Sequence, residues 1–185
     1  RSTDGTWELI EAYQQKYPDL IFGYQCNSDE CNPSMTSERA GYNRINGYRH
    51  VRGKYLIHVD GDDYYRGTDV FSKQVEILEK HPECTICCQN FIYHKNGYNI
   101  DENESAFTQN VFIDEKVISV DEFINQVGYI HSSACCMRNN TDLIINTLTA
   151  NVYDDIDIIY QHIKDGKIIL VDKCDFVYVQ YNHYT

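Results

Sequence analysis

Lys54–Tyr65 reads Lys-Tyr-Leu-Ile-His-Val-Asp-Gly-Asp-Asp-Tyr-Tyr, an apolar β-run that stops abruptly in three carboxylates, Asp60, Asp62 and Asp63. No other segment restricts the fold as much. Like charges crowded at one strand end are unfavourable unless a cation neutralises them. Hard oxygen donors suit Mg²⁺ or Mn²⁺, which keep several waters and take one or two carboxylates beside substrate phosphates. The carboxyl end of a strand is also where open α/β sheets bind ligands. A lone Asp-x-Asp reads first as a solvated acidic turn. The apolar run before it and the helical pattern after it favour the ligand site.

Around this strand the pattern alternates. Leu9, Ile10, Tyr13 and Tyr17 recur at helical spacing over Thr6 to about Lys16, and Pro18 stops the run. A strand is expected over Asp19–Gln25, a polar loop over Cys26–Thr36, and a second helix over Ser37–Arg52 closed by Gly53. Lys54–Asp60 is the central strand. Thr68–Lys80 predicts a helix with Val70, Phe71, Val75 and Leu78 on one side. Thr85–His94 is a strong strand followed by an Asn96-Gly97 hairpin signal. Ser119-x-x-Glu122 is a capping box opening a short helix. Tyr129–Arg138 predicts a strand and Thr141–Thr149 a helix. Tyr153–Lys164 is an amphipathic helix presenting Ile156, Ile159, Tyr160 and Ile163. Ile168–Val171 and Phe176–Tyr181 are the last strands. This is an α/β pattern: a mainly parallel sheet covered by helices, with an antiparallel addition toward the C-terminus. With 185 residues and no linker or repeat, one domain is expected.

Composition removes several function classes. A formal charge of −12 argues against a nucleic-acid partner, because phosphate neutralisation needs clustered Lys and Arg. No apolar stretch is long enough to span a bilayer, and no secretory signal is seen. The 8 cysteines include adjacent pairs inside apolar strand-like runs. They read as small buried hydrophobes in a reducing cytosol rather than as a disulfide framework. A zinc site of Cys26, Cys31, Cys84 and Cys87 is the weaker alternative, since only Cys84-x-x-Cys87 has ligand spacing and Cys88 disturbs it.

Several motifs occur in an order that resembles family 2 glycosyltransferases with the GT-A fold. They are Ser2-Thr3-Asp4-Gly5-Thr6, Gly47-x-x-x-Val51-x-Gly53-x-Tyr55-Leu56, and Val59-Asp60-Gly61-Asp62-Asp63. Ile130-His131-Ser132-Ser133, Met137-Arg138 and Asp154-Asp155-Ile156-Asp157-Ile158 follow. The resemblance implies a single catalytic domain over 1–185, with a nucleotide-binding half (1–80) and an acceptor-binding half (81–185). The chain opens on a helix, so the fold's first strand, a unit of about 30 residues or more, is expected to be missing.

The same resemblance implies roles. Asp4 lies beside the nucleoside pocket, and Arg44 helps hold base and phosphate. Asp60 and Asp62 meet the nucleotide sugar; Asp62, Asp63 and Asp60, with His183, hold Mn²⁺ or Mg²⁺. Asp155, with Asp154 in place of the usual Glu, supplies the catalytic base. His131, Ser132 and Ser133 line the sugar and acceptor site. Two departures stand out: Ile45 where the family usually has Asn, and a loose Gln180-Tyr181-Asn182-His183 ending. Without the family, Asp154-Asp155 reads as a helix cap, Arg44 as a solvated cation, and His131 as a satisfied buried histidine. Tyr64-Tyr65 can stack on a sugar or pack in the core.

The expected activity is therefore a hexosyltransferase-like transfer, inverting and metal-assisted, from a nucleotide sugar, first a UDP-sugar. The acceptor is a glycan, a lipid-linked sugar or a protein, in a polysaccharide-building role. The expected location is the cytoplasm, with peripheral association at the inner membrane face as a variant. A sugar-phosphate nucleotidyltransferase and a non-catalytic nucleotide-sugar or glycan-binding module are the alternatives.

Overall fold

The computed structural model describes residues 3–25, 36–95, 115–125, 130–147 and 155–180. The chain divides into two compact units, residues 1–51 with 141–153 and residues 52–140 with 154–185.

Among the described residues the first unit holds three helices. Helix α1 (Thr6–Lys16) starts after Gly5, whose φ of 88° is a left-handed conformation that glycine adopts without strain. The spacing that predicts α1 is correct, yet none of its residues is buried; Leu9 and Tyr13 stay exposed. The strand expected over Asp19–Gln25 is not formed. Residues 18–20 make a turn and 21–25 join no ladder. Gly23 instead gives its N–H to the Gln14 side chain at 2.9 Å and lies so close to α1 that a Cβ would come within 2.7 Å of Ile10. Helix α2 (Thr36–Tyr48) ends one turn earlier than expected, because His50 and Val51 bond back three residues, to Gly47 and Tyr48. It packs on α5 (Thr141–Thr147).

The second unit is built on a sheet. Its strands are β1 (Tyr55–Ile57), β2 (Tyr64–Tyr65), β3 (Cys84–Lys95), β4 (Glu115–Ile118), β5 (Cys135–Arg138) and β6 (Lys167–Gln180), in the order β1-β5-β3-β6-β2 with β4 also on β6. Strands β1, β3 and β6 run the same way, as helix–strand alternation predicts, with α3 (Val70–Lys80) between the first two. The expected proportion of parallel pairing is corrected, however. Strand β5 is wedged between β1 and β3 antiparallel to both, and β3–β6 is the one parallel pair among the described residues. Three parallel strands are therefore present, but an inserted return strand separates two of them. Strands β2 and β4, four residues or fewer each, were too short to show as a pattern.

Strand β6 pairs with β3 along one edge in two stretches, 167–171 and 176–180. Its other edge takes β4 on the first stretch and β2 on the second. Between them Asp172–Asp175 faces only Asn90 across the ladder, so four residues bulge against one. The two strands expected from the sequence are thus two ladders joined by a bulge.

Apolar burial fixes these elements. Leu78 of α3, Cys84, Cys87, Cys136, Ile169 and Val171 form one cluster. A register shift between Cys84 and Ile86 lets both Cys84 and Cys87 reach it, against simple alternation. Helix α6 (Asp155–Ile163) buries Ile158, Ile159, His162 and Ile163 and leaves Ile156 and Tyr160 largely exposed, so its inner face is rotated from the expected one. In α3 it is Gln74, not Phe71, that joins Val70 and Leu78 inside. The capping box of α4 (Val120–Ile124) forms as expected: Ser119 Oγ accepts from the Glu122 N–H at 3.3 Å, and the Glu122 carboxylate accepts from the Ser119 N–H at 2.9 Å.

Candidate functional site

The acidic segment is a turn hung from the end of β1. The Asp63 N–H donates to the Asp60 carbonyl at 3.1 Å, closing the turn with Asp60 and Asp62 exposed and Asp63 half-buried. Asp63 Oδ1 accepts the Val179 N–H at 2.9 Å, which ties the turn to the second ladder of β6. Strand β2 follows at once, pairing Tyr64 with Val177 and Tyr65 with Phe176. The Arg66 N–H then donates to the Asp175 carbonyl at 2.8 Å.

Tyr65 carries the turn inward. Its ring meets Phe71 edge-on at 4.8 Å and Phe176 at 5.4 Å, and its hydroxyl donates to the Ser133 carbonyl. Burial pushes the phenol well above its ordinary pKa, so it remains a protonated donor at any physiological pH. The acidic turn and the His131–Ser133 segment, 68 residues apart, are thereby brought together.

His131 opens a 3₁₀ turn (Ser132–Ala134) and caps it: Nδ1 accepts the Ser133 N–H at 3.2 Å, which puts the proton of a neutral ring on Nε2. The ring packs against Tyr178 at 4.5 Å, Phe176 at 5.3 Å and Phe91 at 5.6 Å. Phe91 and Tyr93 of β3 and Phe176 and Tyr178 of β6 stand two apart, which puts each pair on one face of its strand. That period-two aromatic spacing was the signal for this wall, and Tyr178 and Tyr93 are its residues that the sequence reading passed over. Ser132 and Ser133 are fully buried, so they support the turn and only His131 is partly open. Helix α6, which starts at Asp155, packs on β3 and on the same 3₁₀ turn. Its backbone start is thus in the same unit; the side chain of Asp155, and Asp154 and His183 altogether, lie outside the described residues.

Two expected nucleotide residues belong to the first unit. The Asp4 carboxylate accepts from the Thr6 hydroxyl at 2.7 Å and its N–H at 3.1 Å, and these bonds hold its pKa below the usual carboxylate value. Arg44 is half-buried on α2, and the neighbouring Ile45 is buried.

The donor set at the turn fits a hard divalent cation in kind: carboxylate oxygens, two of them exposed. Among the described residues no three His, Cys, Asp or Glu side chains gather as a cage. A cation held chiefly by a diphosphate needs only one or two such ligands. Among the described residues the cysteines join no metal-binding group. Cys84, Cys87, Cys88, Cys135 and Cys136 are free and buried; burial raises Cys84 to about 11 and Cys136 to about 12, leaving those two thiols protonated. Cys26 and Cys31 lie outside the described residues.

Comparison with known proteins bears on this site. A family model described as "Glycosyl transferase family 2" matches residues 1–143, which include the acidic turn, Asp4, Arg44 and the His131–Ser133 segment. A mixed sheet flanked by helices agrees with the GT-A fold. An uncharacterized protein of Mycobacterium bovis and two of Mycobacterium tuberculosis strains are each 34% identical over 88 residues. The match covers 46% of this chain and 22% of each relative's length. No helix among the described residues is long and apolar enough to cross a membrane.

Proposed function

The chain belongs to glycosyltransferase family 2, and from that premise we propose that it moves a sugar, with inversion, from a UDP-sugar to a glycan, lipid-linked sugar or protein acceptor. The single observation that supports this most is the Tyr65–Ser133 bond, which sets the acidic turn beside the aromatic wall around His131. In this reading 1–185 is one catalytic domain working in the cytoplasm, with the inner membrane face as a variant, and with donor contacts from 1–80 and acceptor contacts from 81–185. Asp4 and Arg44 hold the nucleoside and phosphate. Asp60 and Asp62 meet the donor, and Asp62, Asp63, Asp60 and His183 are the candidate ligands for Mn²⁺ or Mg²⁺. When bound, such a cation neutralises charge on the leaving diphosphate.

The chain's own groups do the rest. Asp155, assisted by Asp154 at a helix start where the dipole favours ionised carboxylates, takes the proton of the acceptor hydroxyl. The hydroxyl oxygen bonds to the anomeric carbon as the carbon–oxygen bond to the diphosphate breaks, and the nucleoside diphosphate leaves. Tyr178, Tyr93 and His131 offer ring faces to a sugar. A carboxylate base of low pKa is weak, so orientation supplies much of the rate.

The test is a transfer assay of the full-length protein against a panel of nucleotide sugars with Mn²⁺, the product's anomeric configuration being read by NMR. Inverted product from one donor is expected. Asp155→Asn is expected to lower transfer by about 10²–10⁴-fold while donor binding persists. Pyrophosphate released from UTP and a sugar phosphate would make the protein a nucleotidyltransferase. Donor binding with no turnover would make it a binding module.

A further inference from the structure

We propose that Asp63 is a positioning residue and not a cation ligand: its carboxylate ends the β2–β6 ladder, and this holds Asp60 and Asp62 open to solvent, where a cation can reach them. The role rests on the transfer reading and narrows its ligand set within the turn from three carboxylates to two.

The ladder shows where Asp63 acts. Strand β2 pairs Tyr65 with Phe176 and Tyr64 with Val177. Two residues further on, the same register would set Asp62 opposite Val179 and draw the Asp62 backbone into the sheet edge. A side-chain oxygen of Asp63 takes the Val179 N–H first, at 2.9 Å. The ladder therefore stops at Tyr64, and the turn closes on itself through the Asp63 N–H and the Asp60 carbonyl at 3.1 Å. Residues 60–62 stand clear of the sheet. Asp60 and Asp62 are exposed, and a Cβ added at Gly61 would meet nothing within 4 Å.

Alternation along the segment separates the two tasks. Asp62 and Tyr64 are exposed, whereas Asp63 and Tyr65 are half-buried and turn toward the body of the unit. Tyr65 reaches the Ser133 carbonyl and Asp63 reaches Val179. Of the Asp63 oxygens, Oδ1 is committed to that N–H and Oδ2 has essentially no accessible surface. A hydrated Mg²⁺ or Mn²⁺ keeps several waters and needs ligand oxygens that reach solvent. Asp62 meets that condition and Asp63 does not. Ending the ladder calls for an acceptor oxygen and not for a charge, so an amide can do it; a hard cation favours the charged carboxylate.

The experiment takes two readings on the full-length protein: Mn²⁺ affinity with UDP present, from the EPR signal of free Mn²⁺, and amide exchange at Val179, by NMR. Asp63→Asn keeps an oxygen for Val179 and is expected to change the Mn²⁺ Kd by less than about threefold, with Val179 still protected. Asp63→Ala removes the acceptor, so Val179 exchange is expected to rise about tenfold and the Mn²⁺ Kd to rise with it. Asp62→Asn is expected to raise the Kd by more than about tenfold and to leave Val179 exchange as it was. Equal Mn²⁺ loss in Asp63→Asn and Asp62→Asn would make Asp63 a ligand and overturn the assignment. So would unchanged Val179 exchange in Asp63→Ala; if that variant does not fold, the two Asn variants decide. A wild type that takes up no Mn²⁺ with UDP contradicts the metal-assisted reading itself, and Val179 exchange then decides the ladder-ending role alone.

Discussion

The β3–β6 ladder and the acidic turn at the end of β1 sit in one compact unit, yet opposite means hold them. The ladder is held by buried apolar side chains on both sides of the bulge, with Phe91, Ile92, Ile168, Phe176 and Val177 at most 2% exposed. The turn exposes Asp60 and Asp62 and is fixed by a few polar bonds: Asp63 to Val179, Tyr65 to Ser133 and Arg66 to Asp175. Burial supplies stability without regard to direction, whereas those bonds supply position. Substitutions in the two regions should therefore have separate signatures, unfolding in one and lost chemistry in the other.

Phe176 tests the ladder hardest, because it is fully buried and touches Tyr65, Phe91 and His131. Phe176→Ala is expected to cost about 3–5 kcal/mol of unfolding free energy, read from urea titration. A loss under 1 kcal/mol would mean that the ladder is not where stability resides.

A smaller effect comes from pH. His162 is buried on α6, its Nδ1 donates to the Ile158 carbonyl at 2.9 Å, and burial lowers its pKa to about 4. Between the ordinary value near 6.5 and about 4 the unfolded chain takes up a proton that the folded chain refuses. This contribution is fully present above pH 6.5 and is lost as pH falls to about 4, by a few kcal/mol at most. His162→Gln should flatten that part of the stability–pH curve; an unchanged slope would assign it to the carboxylates.

The smallest change sharpens the comparison most. Tyr65→Phe removes one hydroxyl from the seam between turn and wall and should cost only about 0.5–1.5 kcal/mol of stability. Because the bond positions the site, transfer should fall further than the unfolded fraction accounts for. Transfer in proportion to folded protein alone would show that the bond is only structural.

Much of this was legible in the chain. The existence and type of helices α1, α3, α4, α5 and α6, of strands β1 and β3 and of both ladders of β6 followed from period and capping, which act locally, whereas the inner faces of α3 and α6 did not. Three things were not. Strand β5 inserts between β1 and β3, and nothing in Cys135–Arg138 says which strands it will join. Asp19–Gln25 has strand composition but no ladder, so propensity was overruled by contact with α1. Gln74 looks like a surface residue of α3 and is buried because it bonds the Cys87 and Ala134 carbonyls, which long-range pairing alone brings within reach. At the site, Asp60–Asp63 and His131–Ser133 were visible as motifs, whereas the aromatic wall needed two distant strands to lie side by side.

The central claim is that the turn grips a metal-bound diphosphate. Isothermal titration of a UDP-sugar into the full-length protein, with and without Mn²⁺, tests it for the wild type and for Asp62→Ala. The account predicts binding that requires Mn²⁺ in the wild type and disappears in Asp62→Ala, with the melting temperature of the variant unchanged. Binding of equal strength without the metal, or in Asp62→Ala, would contradict it.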